Sequence, residues 1–296
     1  VILGLYLSRS ITRPIVELAV SARRLAKAKD KSIKLVNLPH RNDEIGELST
    51  ALQEMTDDLQ ERIKATAGFA ADVAHELKNP LTSLRSAAET FSRIKNQSQQ
   101  KLLIGVILED VTRLDRLIND ISQASRVEAE LAETTRDKVD FQALVDSWVF
   151  MMKDRYPEIK LNWKPSVQTQ EKKLFEVNIH TGRIIQILDN LLVNAISFNP
   201  PGEEIEITLT SKGRNKNQIC LSIRDHGEGI PDANLNSIFA RFYSQRPNNE
   251  AFGQHSGLGL SIARQIAEAH GGSLYASHAQ KNGAIFSLEL PLAKQE

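Results

Sequence analysis

Apolar residues recur at steps of three and four over much of the first 121 positions, and this pattern restricts the fold more than any other feature. They fall first at Ile11, Ile15, Leu18, Ala22 and Leu25. A polar connector follows, with Pro39 and with Ile33, Leu35 and Leu38 as its apolar points. The stripe resumes at Ile45, Leu48, Leu52, Met55 and Leu59, and again at Ile63, Thr66, Ala70, Val73, Leu77, Pro80, Leu84, Ala87 and Phe91. Polar residues at 97–100 read as a turn, after which Ile104, Ile107, Val111, Leu114, Ile118 and Ile121 form a further stripe. This is the spacing of a coiled-coil seam. A lone helix cannot bury such a seam. The first two stripes therefore predict helix pairs that dimerise. Residues 63 to about 130 predict a hairpin that closes a four-helix bundle with a second copy. The register slips once, because Leu59 to Ile63 is a second consecutive step of four. Such a stutter locally unwinds a left-handed supercoil.

Beyond a charged stretch at 128–138 the periodicity changes. Residues 141–154, 181–198 and 258–270 read as helices, the last ended by Gly271 and Gly272. Ile205, Ile207 and Leu209 alternate with polar residues, as do Ile219, Leu221 and Ile223, and then the run 285–290. These are period-two strands. Mixed strands and helices predict one α/β domain over 134–296. The 37 basic residues balance 37 acidic ones, so no net field argues for a nucleic-acid partner. Cys220 is the single cysteine. It excludes an internal disulfide and reads as a buried strand residue.

At the other end, residues 1–7 are apolar apart from the Tyr6 hydroxyl, and Arg9 and Arg13 follow. Seven residues fall short of the roughly 20 that a bilayer requires. An apolar run that stops at arginines looks like the inner end of a transmembrane helix, over 1–8, or like a buried helix end. Pro14 opens Pro-Ile-Val-Glu-Leu, and 43–48 reads Asp-Glu-Ile-Gly-Glu-Leu. Both resemble the signatures of the HAMP linker domain found just inside bacterial receptor membranes. The resemblance places that domain at 9–62 and the hairpin at 63–133.

On the hairpin, 69–80 reads Phe-Ala-Ala-Asp-Val-Ala-His-Glu-Leu-Lys-Asn-Pro. His75 lies two positions from both Val73 and Leu77, which at about 100° per residue turns it away from the stripe toward solvent. A core histidine would sit on the stripe. A neutral imidazole, with an ordinary pKa of about 6.5, keeps a nucleophilic lone pair near neutrality. When one ring nitrogen attacks, the other must lose a proton, and the adjacent Glu76 can orient the ring and accept it. Pro80 cannot donate to the Glu76 carbonyl and is expected to loosen the helix there. Asn79, four residues after His75 and on its face, can position a water. A metal site is disfavoured, since no second histidine lies four residues away. Alone, a His-Glu pair on a helix is more often a surface feature without a role. His-Glu-Leu-Lys-Asn-Pro, however, resembles the phosphoacceptor motif of sensor histidine kinases.

Four segments of the last domain carry further chemistry. In 189–195, Asp-Asn-Leu-Leu-Val-Asn-Ala, Asn190 and Asn194 share a helix face. Their amide oxygens suit Mg2+, although a solvated face also explains the pair. In 225–231, Asp-His-Gly-Glu-Gly-Ile-Pro, the glycines Gly227 and Gly229 admit a flat ligand. The Asp225 carboxylate can accept from an adenine amino group, although a β-turn explains this motif equally well. Residues 238–243, Ile-Phe-Ala-Arg-Phe-Tyr, read as an aromatic pair in a helix. Residues 256–261, Ser-Gly-Leu-Gly-Leu-Ser, open a helix whose first N–H groups can bind phosphate. They lack the preceding strand and the spacing of a dinucleotide site. The stretch 244–255, with Pro247, Asn248, Asn249 and Gly253, reads as a flexible lid.

In this order the four segments resemble the boxes of the histidine-kinase ATP-binding fold, which certain chaperones and type II topoisomerases share. With the His75 motif and the HAMP signatures, the resemblance covers nearly the whole chain. It implies an ATP-dependent protein-histidine kinase, homodimeric, on the cytoplasmic side of a bacterial inner membrane. It implies that His75 is phosphorylated and that the phosphoryl group passes to an aspartate of a response-regulator receiver domain. By the same resemblance Asn194 is the Mg2+ ligand with Asn190 in support, and Asp225, Gly227 and Gly229 hold the adenine. Arg241 and Phe242 stand at the base of the lid, and Gly257, Leu258 and Gly259 hold the phosphates. One position departs. The basic residue usual two places after the Asn-Ala of the first box is Ser197 here. A phosphate contact is then absent, or supplied by Arg241 or Arg246. A conformational ATPase, a phosphatase-dominant enzyme and a non-enzymatic scaffold remain as rivals. Deletion of four residues at the Leu59–Ile63 stutter is expected to leave folding intact, measured by circular dichroism, and to change the rate or regulation of autophosphorylation.

Overall fold

The computed structural model describes residues 2–27, 41, 43–133, 136–165, 175–212, 217–243, 257–279 and 282–293. The connector points Ile33, Leu35, Leu38 and Pro39, the 244–255 stretch with Arg246, and Ser256 lie outside these residues. The chain divides into two compact units, 1–74 and 75–296.

The first unit is helical. Helix α1 (Ile2–Leu7) runs into a π-helical turn (Ser8–Thr12), then α2 (Arg13–Lys27) and the first part of α3 (Glu44–Phe91). Pro14 sits in the first turn of α2, where a missing N–H costs nothing. Asp43 caps α3, its Oδ1 accepting from the Gly46 N–H at 3.1 Å. The Arg41 guanidinium grips the Asp43 carboxylate and also donates to the Ser10 carbonyl at 2.8 Å. That grip holds the Asp43 pKa down at about 2. The glycine of the Asp-Glu-Ile-Gly motif is required by close approach, since a Cβ on Gly46 would lie 2.1 Å from the Arg41 carbonyl oxygen. Ile15, Leu48, Met55 and Leu59 remain exposed within one chain. Among the described residues no helix is long and apolar enough to cross a membrane.

The second unit opens with the hairpin. Helix α3 passes through Pro80 as a continuous helix, so the expected loosening is confined to the one backbone bond that proline cannot make. The turn lies at 92–96 rather than at 97–100, which instead begins α4 (Gln97–Glu133). The polar residues read as a turn are the helix start: Asn96 Oδ1 accepts from the Ser98 N–H at 2.9 Å, and Gln100 Nε2 donates to the Ile94 carbonyl at 2.8 Å. Within one chain the arms bury Ala87, Asp110 and Leu117. Ile104, Val111 and Ile118, half of the predicted α4 seam, face outward.

The α/β part holds two sheets. Strands β1 (Asp137–Asp140) and β3 (Glu176–Ile179) form an antiparallel pair. The larger sheet has the order β2-β4-β5-β7-β6, with β2 (Lys160–Lys164) parallel to β4 (Glu204–Lys212). Strands β5 (Gln218–Arg224), β7 (Ala284–Pro291) and β6 (Ser273–His278) continue antiparallel. Register aligns the apolar rows: Ile207 opposes Ile223, which opposes Phe286, and Leu209, Leu221, Leu288 and Leu274 do the same. The helices α5 (Phe141–Arg155), α6 (Thr181–Phe198) and α7 (Gly259–Ala269) supply the other half of the core through Val145, Trp148, Ile184, Leu188, Ile262 and Ile266. Cys220 is buried on β5, as expected. Trp148 is fully buried, and its indole N–H donates to Asp189 on α6 at 2.8 Å.

His270 joins α7 to α6. Its Nδ1 lies 2.7 Å from the Ile266 carbonyl and donates to it, and its Nε2 accepts from the His180 N–H at 3.0 Å. Burial pushes its pKa below the ordinary value of about 6.5. The folded state therefore binds fewer protons than the unfolded one. Its contribution is complete above about pH 6.5 and is lost as pH falls below that toward the folded value. The midpoint of thermal unfolding should accordingly drop more between pH 7.5 and pH 5.5 in the parent chain than in His270→Gln.

Candidate functional site

Helix α6 carries the first predicted segment and meets the second and the fourth, while the third is joined to it through the fourth. Asn190 and Asn194 lie one turn apart on its half-buried face. The Asn190 amide donates from Nδ2 to the Gly259 carbonyl at 3.0 Å, tying the first segment to the fourth. A Cβ on Gly259 would sit 3.4 Å from the Asn190 amide. At its C-terminal end α6 meets the second segment. The Phe198 carbonyl would lie 2.4 Å from a Cβ on Gly227, and Asn199 Oδ1 accepts from the His226 N–H at 2.9 Å.

Asp225 is buried at the end of β5. Its Oδ1 accepts from the N–H groups of Gly227 at 2.9 Å and Ala284 at 3.1 Å. Burial pushes its pKa above the usual carboxylate value, and the two N–H bonds work against that rise. Oδ2 takes no hydrogen bond from a described residue and remains for a ligand.

The third segment departs from the predicted helix. Ser237–Phe239 makes one 3-10 turn, and Ala240 is already extended. Phe239 packs edge-on against Phe286, with ring centroids 6.4 Å apart. Phe242 lies outside the turn at φ 60°, in the left-handed region that non-glycine residues rarely occupy. Its N–H donates to the Gly257 carbonyl at 3.0 Å. Gly257 is itself at φ 74°, and a Cβ there would meet the Phe242 backbone at 2.8 Å. This contact joins the third segment to the fourth and leaves room only for glycine. Arg241 is half-buried beside it.

The fourth segment starts α7. Its N-cap is Leu258, which is buried and provides no side-chain acceptor. The first-turn N–H groups are therefore not consumed by a cap, the condition for binding an anion at a helix start. Ser197 turns back on its own helix, its hydroxyl donating to the Val193 carbonyl at 3.1 Å.

Among the described residues no group of three His, Cys, Asp or Glu side chains could hold a metal. The donors on offer are the amides of α6. They fit Mg2+, which takes one or two protein oxygens when phosphates supply others.

His75 is exposed on α3, turned away from the α4 arm as its position predicted, and Asn79 is exposed one turn later. Glu76 is half-buried and faces α4, where Arg113 Nη2 stands 3.5 Å from its Oε2. Three contributors escaped the sequence reading. Asn199 was signalled by the Asn-Pro pair that ends α6. Gly283 was signalled by its place before a strand: it sits at φ 104°, and a Cβ there would be 1.9 Å from the Asp225 carbonyl oxygen. Arg113 carried no local signal.

Comparison with known proteins gives three matches along the chain. Residues 6–61 match the HAMP domain, 65–130 the His Kinase A (phospho-acceptor) domain, and 180–294 the histidine kinase-, DNA gyrase B- and HSP90-like ATPase family. The chain is 43% identical over 302 residues to the sensor protein ChvG of Agrobacterium fabrum, covering 99% of this chain and 50% of that protein. It is 45% identical over 302 residues to ChvG of Rhizobium meliloti, covering 98% and 52%. The chain thus spans about half the length of these curated relatives. The fold resembles the Acinetobacter baumannii histidine kinase AdeS, at 24% identity and a TM-score of 0.53, over 74% of this chain and 98% of that one.

Asp225→Asn keeps an acceptor for both N–H groups and removes a buried charge. The expected result is an unfolding midpoint equal to or above that of the parent, with affinity for adenine nucleotides lowered about 10- to 100-fold if Oδ2 accepts from the adenine amino group, as the resemblance implies. Thermal melts and calorimetric titration with ATP measure the two effects.

Proposed function

Since the chain belongs to the two-component sensor histidine kinases, we propose that it uses ATP to phosphorylate His75 and passes the phosphoryl group to an aspartate of a response-regulator receiver domain. The observation that carries this reading is the chain of contacts that links the four segments, with the second and fourth meeting α6 through Gly227–Phe198 and Asn190–Gly259 and the third joined to the fourth through Phe242–Gly257, in a chain that also exposes a histidine on a separate helical hairpin.

The geometry supports the following roles. Asp225 Oδ2 accepts from the adenine amino group, and Gly227 and Gly229 let the backbone lie against the base. Gly257, Leu258 and Gly259 bring the start of α7, whose first turn the Leu258 side chain does not cap, to the phosphates. Phe242 closes the base of that corner, and Arg241 beside it supplies positive charge in place of the residue that Ser197 replaces. Asn194 holds Mg2+ with Asn190 in support. The ion, when bound, neutralises charge on the phosphate oxygens. One imidazole nitrogen of His75 attacks the γ-phosphorus in line, and Glu76 accepts the proton from the other. Asn79, exposed on the His75 face, positions a water for dephosphorylation of the partner.

We take the organisation as a linker domain at 9–62, a dimerisation hairpin at 63–133 and a nucleotide domain at 134–296. The exposed Ile104, Val111 and Ile118 support a homodimer, because a four-helix bundle would bury them. Attachment to the bacterial inner membrane, with these domains on its cytoplasmic side, rests on the HAMP match and on the apolar run before Arg9.

The distinguishing experiment is incubation with γ-labelled ATP and Mg2+. Stable label on the protein, lost in His75→Gln and retained in Asn79→Ala, is the expected outcome, together with slower dephosphorylation of a receiver domain by the Asn79 variant. ATP turnover without label on the protein would instead favour a conformational ATPase.

A further inference from the structure

Glu76 and Arg113 meet across the hairpin. The guanidinium Nη2 lies 3.5 Å from Glu76 Oε2, and the two side chains are only 15% and 27% exposed for Arg113 and Glu76 respectively. A pair so sheltered is screened by salt less than a surface pair. Only one carboxylate oxygen is engaged, since Oε1 takes no hydrogen bond from a described residue. His75, the preceding residue, is exposed and has no hydrogen-bond partner among the described residues. One turn before Arg113 on the same arm lies Asp110, a buried carboxylate whose Oδ2 has no partner among the described residues. The hairpin therefore shelters two carboxylates, and the one beside the acceptor histidine is paired with Arg113.

Neighbouring residues on a helix do not face each other. Glu76 can serve His75 only if its carboxylate is held at the edge of the hairpin instead of swinging freely into solvent. A guanidinium is suited to this, because it is a permanent cation with fixed N–H directions, so that even a contact to one oxygen draws the carboxylate to a defined place. We propose that Arg113 is the positioning residue for the autophosphorylation of His75: it grips Glu76 Oε2 and leaves Oε1 for the imidazole N–H. The inference rests on the reading of His75 as acceptor and Glu76 as its base. In the step, one ring nitrogen of His75 forms the N–P bond, and the bond between the γ-phosphorus and the bridging oxygen breaks with its electron pair leaving on ADP. The proton on the other ring nitrogen passes to Glu76 Oε1. Arg113 forms and breaks no bond; it keeps the accepting oxygen where that proton will be. The arrangement has the logic of a nucleophile, a base and a third group that orients the base.

The test is a double-mutant cycle in the full chain, read as the rate of label transfer from γ-labelled ATP at saturating ATP and as the KM for ATP. R113M is expected to slow the rate about 10- to 100-fold with KM unchanged, and R113K to recover part of the loss. E76Q is expected to be slow on its own account, and R113M to add nothing in the E76Q background. Should R113M lose helicity by circular dichroism, the same cycle is read with R113K, whose smaller loss must likewise vanish in E76Q. A slow E76Q in which either Arg113 variant causes its full further loss overturns the role of Arg113 alone and leaves a plain structural pair. An E76Q chain that runs at the parent rate overturns the reading of Glu76 as base, and the role of Arg113 with it.

Discussion

The bond pair at Asp225 Oδ1 sets the geometry of the nucleotide domain. Accepting from Gly227 and Ala284 together, one buried oxygen fixes the chain that leaves β5 against the chain that enters β7. Much else follows from that contact. Gly283 must approach the Asp225 backbone too closely for any side chain. Gly227 is carried up against the end of α6, and the second carboxylate oxygen takes no hydrogen bond from a described residue. Burying a carboxylate is costly, and the raised pKa reflects it. The cost lies where binding would recover it, since a ligand that donates to Oδ2 completes the carboxylate's hydrogen bonding.

Parts of this were legible in the sequence. Helix α6 begins and ends where its apolar spacing predicts, and strands β4, β5 and β7 follow from alternation, because their large buried side chains share one face. The strands that escaped notice are short or polar. Asp137–Asp140 reads as linker because three of its four residues are charged, and its strand conformation comes from pairing with β3, a partner remote in sequence. The third segment was misread as helix for a related reason. Ile238, Phe239 and Phe242 have helical spacing, but Phe242 is held by Gly257 in a conformation that no local propensity favours. At the candidate site the glycines and asparagines carried local signals. Arg113 did not, because its importance depends on which residue faces it across the hairpin.

The helical part poses a different problem, since its apolar stripes are wider than one chain can cover. Within a hairpin α4 turns Leu117 toward α3 and leaves Ile104, Val111 and Ile118 outside. The coiled-coil spacing therefore marks two adjacent faces at once, an intrachain one and an unfilled one. In the first unit Ile15, Leu48, Met55 and Leu59 are likewise exposed, while Leu18 is buried. The stripes alone cannot divide their residues between the two faces. The polar contacts give the local anchor points: Asp43 caps α3 beneath the Arg41 fork, and Asn96 begins α4.

Trp148 and Trp163 are the only two tryptophans in the chain, and both belong to the α/β part, one sealed against Asp189 and the other half-buried on β2 with its indole donating to Asp146. The linker helices and the hairpin contain none. Tryptophan fluorescence therefore reports on the nucleotide domain alone, whereas far-ultraviolet ellipticity is weighted toward the long helices α3 and α4. The gap between the two denaturation curves measures whether the parts of this protein melt as one cooperative body or separately, with no label or engineered probe.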